Sequence, residues 1–149
     1  MKILAENKKA YFDYEILEKF EAGISLLGTE VKSLKFHGVN LRGSYVIIKG
    51  GEAFWVGVKI PPWQPKNVLP SYKDQRDRKL LLRKKELKYL IGKTKEKGLT
   101  LIPLRLYNKG RWIKLEFALA KKKKKFKKKE EIKQRAIEEE IQRTLKQFR

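Results

Sequence analysis

Eight of the nine residues from Lys121 to Lys129 are lysine, and the exception is Phe126. Ammonium groups at this density neutralise phosphates and release condensed counterions, giving nucleic-acid binding that depends strongly on salt and little on sequence. Lys121, Lys122, Lys123, Lys124, Lys125, Phe126, Lys127, Lys128 and Lys129 therefore form a first candidate site, with a solvated, disordered tail as the alternative. Phe126 either stacks on a base, a contact worth about 1–3 kcal/mol, or anchors the tail to the body. Upstream, Trp55 with Lys59 and Trp112 with Lys114 each place an aromatic and a cation on one side of a strand, the pairing that RNA-binding sheets use. The alternative packs these tryptophans beneath the tail or a loop.

Arg76, Arg78 and Lys79 close a proline-rich stretch and could grip phosphates, Arg in bidentate geometry. They could equally pair on the surface with Asp74 and Asp77. Those two aspartates could recruit a metal ion for hydrolysis, but the surrounding cations favour salt bridges. Glu21 and Glu30 stand out as acids in a basic chain. A carboxylate accepts from base or ribose donors or holds an arginine in place, while capping or solvation accounts for Glu30 as well. His37 is the only imidazole and cysteine is absent, so a Ser/His/Asp arrangement or a zinc site has almost nothing to rest on. No glycine-rich phosphate loop occurs. The residues point to binding, with no cofactor and no catalytic centre.

Thirty-eight Lys and Arg against 17 Asp and Glu give a formal charge of +21 over 149 residues. Self-repulsion of that size calls for a polyanionic partner, nucleic acid first. No apolar run approaches the roughly 20 residues that span a bilayer, and Met1 to Ala10 lacks the apolar centre of a signal peptide. These features suit the cytoplasm and no membrane partner.

The positioning elements follow from periodicity. Tyr11 to Leu27 reads as extended chain, with Phe12, Tyr14 and Ile16 on one face. Thr29 can cap a short helix carrying Leu27, Val31 and Leu34 on one side. Ser44–Lys49 and Glu52–Ile60 flank Gly50-Gly51, a hairpin signal, with Phe54, Val56, Val58 and Ile60 expected on one face and Trp55 and Lys59 on the other. Four prolines from Pro61 to Pro70 make the stretch to Arg78 a long loop. A strand at Leu80–Leu82 and a helix over Lys84–Glu96 precede a second hairpin, Leu99–Tyr107 and Trp112–Ala120, turning at Asn108-Lys109-Gly110. Hairpins with few helices predict a mainly β (α+β) fold, a small oligonucleotide-binding-like β-barrel with flanking short helices, with a sandwich as the alternative. After Ala120 the composition changes abruptly. Residues 1–120 are expected to form the RNA-binding domain, and 121–149 a basic tail, disordered when free, in which Ile132, Ile137, Ile141 and Leu145 can line an amphipathic helix.

Asn7-Lys8-Lys9-Ala10, Phe20-Glu21-Ala22-Gly23-Ile24, Gly28-Thr29-Glu30-Val31-Lys32-Ser33-Leu34, Gly51-Glu52-Ala53, Arg78-Lys79-Leu80-Leu81-Leu82 and Pro103 to Tyr107 follow one another in a familiar order. In these motifs the chain resembles the small protein B family, the SsrA-binding partners of transfer-messenger RNA (tmRNA) in bacterial trans-translation. The likeness runs from about Asn7 to Ala120 and more weakly into the tail. It implies a barrel that binds the tRNA-like domain of tmRNA and delivers it to stalled ribosomes, assisted by the elongation factor that carries aminoacyl-tRNA. It further implies a tail that probes the decoding centre and empty mRNA channel. Asn7, Glu21, Arg78, Lys79, Leu81 and Lys114 are the RNA-binding positions it carries over, Leu81 either in contact or shaping the surface. The family commonly has Asp-Lys-Arg where this chain has Lys127-Lys128-Lys129, which loses a bidentate donor. It usually has Gly where Lys122 stands.

Overall fold

Gly50 and Gly51, at φ 59° and 76°, turn the chain tightly enough to pair Lys49 with Glu52. The resulting hairpin, β3 (Tyr45–Lys49) and β4 (Glu52–Val56), is one of the two that organise the molecule. The other joins β6 (Leu99–Lys109) to β7 (Trp112–Lys122). It turns at Gly110-Arg111, one step later than expected, with Gly110 at φ 62°. The computed structural model describes residues 1–67 and 69–147, leaving aside the side chains of residues 67, 125–127 and 147.

The remaining strands are β1 (Lys2–Glu6), β2 (Tyr14–Ile24) and β5 (Arg78–Leu81). All seven are antiparallel to their neighbours in the order β1-β6-β3-β4-β5-β2-β7, and β7 pairs back onto β6. Six strands thus close a ring, with β1 added outside on β6, so the barrel anticipated from the hairpins takes the form of closed hydrogen bonding. Closure removes most exposed edges. Ala22, Val46, Leu80, Leu101, Leu106, Leu115 and Phe117 fill the interior.

Three helices pack on the ring: α1 (Lys8–Asp13), α2 (Gly28–Phe36) and α3 (Lys84–Lys93). Residues 11–13 are therefore helical rather than extended. Ala10 at the centre of α1 covers the small outward residues Ala118 and Ala120, a second apolar cluster that strand alternation alone does not reveal. Thr29 does not cap α2. Leu27 occupies that position, and its N–H donates to Glu30 Oε1 at 2.9 Å.

The face assignment on β4 is also reversed. Trp55 is fully buried, opposite Val46, and its indole N–H donates to Ser44 Oγ at 3.1 Å. Phe54 and Val56 are the half-exposed pair. Gly57, at φ 75°, then breaks the alternation and returns Val58 and Ile60 to the interior. Both parities of this run are apolar, so alternation cannot choose between them. The ring interior takes the larger side chain where a hydroxyl waits for its N–H. Trp55→Phe should accordingly lower stability by about 1–2 kcal/mol through reduced volume and a missing hydrogen bond, read as a lower urea midpoint at unchanged slope.

Candidate nucleic-acid interface

Because Ala22, Leu80, Leu106 and Leu115 face inward, their neighbours Glu21 and Gly23 on β2, Lys79 and Leu81 on β5, and Lys114 and Glu116 on β7 face outward, and Tyr107 on β6 lies on the same side but is itself buried. Register brings them together: Gly23 lies between Leu81 and Lys114, Tyr107 is opposite Lys114, and Glu21 is opposite Glu116. Four of the expected RNA-binding residues, Glu21, Lys79, Leu81 and Lys114, thus share one outer surface.

At its centre lies an open groove of about 420 Å³ bordered by Gly23, Leu26, Val31, Leu81, Trp112 and Lys114. Gly23 is its bare floor. A Cβ there would lie 3.4 Å from Leu81 Cβ and 3.6 Å from Lys114 Nζ, in ordinary contact with both, so Leu81 and the lysine ammonium close in on this position from either side. A glycine inside a strand signals such close approach, and the sequence carries that signal although Gly23 is not among the expected site residues. Trp112 is 67% exposed on the same face, as expected for its pairing with Lys114.

Charge on this surface is partly tied down. Glu21 accepts from the Tyr107 hydroxyl and, at 3.5 Å, from Lys109 Nζ. The Tyr107 bond, opposed by partial burial and aided by Lys109 and Lys114, holds the Glu21 carboxyl below its usual range. Burial, then Glu21, pushes the Tyr107 phenol up. Arg105 forms a two-point pair with Glu116 at 3.2 and 3.0 Å, and Lys79 meets Glu52 at 2.9 Å. Among the described residues the Lys114 ammonium has no hydrogen bond or ion pair, which leaves it available to a phosphate.

Asn7 is nearly buried, and its amide donates to Pro103 O at 3.0 Å while its N–H donates to Leu104 O at 2.8 Å. It ties the entry of α1 to β6 beside a second depression that includes Lys19, Arg105 and Glu116.

Arg78 differs most from expectation, because it points into the ring with no exposed surface. Its Nε and Nη2 donate to Glu30 Oε2 at 3.0 and 2.6 Å, and further bonds reach Val58 O, Arg76 O and Asp74 O at 2.7–3.0 Å. Every guanidinium nitrogen is occupied within the chain, and these bonds hold the long loop. Glu30 is the acid that holds it, fully buried and also bonded by Arg76 and Tyr72. Arg76 and Arg78 therefore pair with Glu30, while the Asp74 carboxylate lies 3.8 Å from Lys59.

The basic tail begins inside the ring. Lys121 and Lys122 pair with Glu15 and Tyr14 on β2. Lys123 N–H donates to Asp13 O, and its ammonium bonds Tyr11 O at 3.1 Å and Glu131 at 2.6 Å. Lys125–Gln147 then form α4, on which Lys128 meets Asp13 at 3.1 Å and Arg135 lies over the Phe12 ring. Lys124 and Lys129 are exposed. The side chains of Lys125, Phe126 and Lys127 lie outside the described residues, and with them the stacking expected of Phe126.

A family model described as SmpB protein matches residues 4–147. The chain belongs to the SmpB protein family. This SmpB-family chain is 50% identical to an SsrA-binding protein of Carboxydothermus hydrogenoformans over 145 residues, 97% of each chain. It is also 50% identical to an SsrA-binding protein of Thermosipho africanus, with both covered completely. A solved chain described under "tmRNA-SmpB: a journey to the center of the bacterial ribosome" shares 45% identity at a TM-score of 0.66, covering 81% of this SmpB-family chain and 85% of that one. Among the described residues no helix is long and apolar enough to cross a membrane.

Proposed function

We propose that this protein binds the tRNA-like domain of tmRNA and carries it to stalled ribosomes in the cytoplasm for trans-translation. The observation that carries this reading is the convergence of Glu21, Lys79, Leu81 and Lys114 on one outward face, with the unpaired Lys114 ammonium over Gly23. The SsrA-binding relatives and the tmRNA-SmpB neighbour support the choice of RNA. Lys114 meets phosphate, Trp112 and Leu81 offer apolar contact, and Glu21, pre-set by Tyr107, accepts from base or ribose donors. Asn7 and Arg78 act by positioning: one fixes α1 against β6, the other holds the loop that precedes Lys79.

The protein is an adaptor and not an enzyme. It needs no cofactor, and the elongation factor that delivers aminoacyl-tRNA joins through the RNA. Within residues 121–149, the part beyond Lys124 serves as a separate tail, disordered when free and helical on the ribosome, that probes the decoding centre and the empty mRNA channel. Repulsion among the lysines supports a tail that can leave the body.

Competition at physiological salt tests this reading. The tRNA-like domain of tmRNA should displace a labelled copy at least about tenfold better than elongator tRNA, a gap of about 1.4 kcal/mol. Equal displacement would favour a general RNA-binding or ribosome-associated module. Lys114→Ala should lower the slope of log affinity against log salt by about 0.7–0.9, the share of one phosphate.

A further inference from the structure

The first half of α2 borders the groove through Val31, and its last turn carries an aromatic cluster that the face described above does not use. Phe36 is 71% exposed. The half-buried Trp63, from the proline-rich loop, lies under it at 5.1 Å between ring centres, tilted by 38°. His37 meets Trp63 at the same distance, and its Nε2 lies 3.3 Å from Trp63 O. The loop is fixed there in turn, since Ser33 Oγ donates to Pro61 O at 2.6 Å.

An exposed phenylalanine held on one side by a tryptophan keeps its other side bare, with part of its ordering entropy already spent. Lys32 is exposed on the same helix, four residues before Phe36 and so on its side. An aromatic ring beside an ammonium group fits a nucleotide: the base stacks and the adjoining phosphate meets the cation. Continuity with the groove through α2 assigns the nucleotide to the RNA bound there.

We infer that Phe36, supported by Trp63 and His37, stacks on an unpaired base of the bound tmRNA while Lys32 holds an adjoining phosphate. This rests on the proposed tmRNA binding and extends its footprint to the far end of α2. The bland account is a staple, in which Phe36 only closes α2 against the loop.

Binding of the tRNA-like domain of tmRNA should be measured for Phe36→Leu and Phe36→Tyr in the full chain, with inorganic polyphosphate as a polyanion without bases. Leucine preserves apolar packing and loses the stacking ring. Stacking predicts that Phe36→Leu weakens the RNA about 5- to 10-fold, the lower part of the range for one stacked base, leaves polyphosphate binding unchanged, and is rescued by Phe36→Tyr. RNA affinity unchanged in Phe36→Leu, while Lys114→Ala weakens it, overturns the stacking and leaves tmRNA binding standing. So does an effect confined to ribosome binding, which would place the base in ribosomal RNA. Failure of the unsubstituted protein to prefer the tmRNA domain over elongator tRNA would remove the parent reading first.

Discussion

Glu30→Ala is expected to cost the fold about 3–5 kcal/mol, because it strands a buried guanidinium without its counter-charge. Arg78 has no exposed surface, and among the described residues the Glu30 carboxylate is its only anionic partner. The same substitution frees Arg76 and removes the acceptor of the Leu27 N–H, so α2 loses its first-turn anchor as the long loop loses its hold. Total stabilities are about 5–15 kcal/mol, so a large part of the margin would go. Urea denaturation reads the loss directly. Replacing both partners with apolar residues will not restore it. Arg78 also supplies the donors to Val58 O, Arg76 O and Asp74 O, which an apolar side chain would leave unsatisfied.

The same carboxylate sets an acid limit. Burial pushes the Glu30 carboxyl up, but hydrogen bonds from Arg76, Leu27 N–H and Arg78 outweigh it, and the net is below the ordinary value of 4.5. A depressed folded value means that the unfolded chain takes up the proton first. The stabilisation is therefore complete above the unfolded value and is lost as pH falls through the folded one. Stability measured from pH 6 downward should show an acid limb that Glu30→Gln flattens. An unchanged limb in that variant would assign acid sensitivity to other carboxylates.

Ending the chain after Lys124 is expected to abolish peptide tagging on stalled ribosomes while leaving binding of the tRNA-like domain within about threefold. The cut belongs there and not at Ala120. Lys121 and Lys122 complete the pairing of β7 with β2, and the Lys123 N–H bonds Asp13 O, so a shorter chain would damage the ring. Beyond Lys124, α4 is held to the body by Lys128 with Asp13, Glu131 with Lys123, and cations over Phe12. These are side-chain contacts without strand pairing, and the lysine block repels itself, so the helix can move without unfolding the ring. The salt slope for tmRNA should barely change. The slope for ribosome binding should fall by about 0.7–0.9 for each phosphate the shortened chain no longer neutralises. Parallel loss of tagging and tmRNA binding would mean that the two surfaces do not divide the work.

Much of this molecule can be read along the chain, because it depends on neighbours. Gly50-Gly51 marks its hairpin because positive φ is a local requirement, and alternation at Ile113, Leu115, Phe117 and Leu119 identifies their inward face. The +21 charge and the lysine block point to a polyanion through composition alone, and the ordered motifs indicate the family. What escaped reading depends on residues far apart. Alternation could not choose between Phe54 and Trp55; ring closure and the Ser44 hydroxyl, 11 residues away, turned Trp55 inward. Arg78 looked like a phosphate ligand because an isolated arginine belongs in water, and only Glu30, 48 residues earlier, makes its burial tolerable. Gly23 likewise gains meaning only once β5 and β7 bring Leu81 and Lys114 to either side of it. Sequence by itself determined the Gly50-Gly51 turn, the inward face of β7, the polyanionic partner and the family. Tertiary structure decided which charges stay in water, because a charge leaves water only where a partner of opposite sign has been brought to meet it.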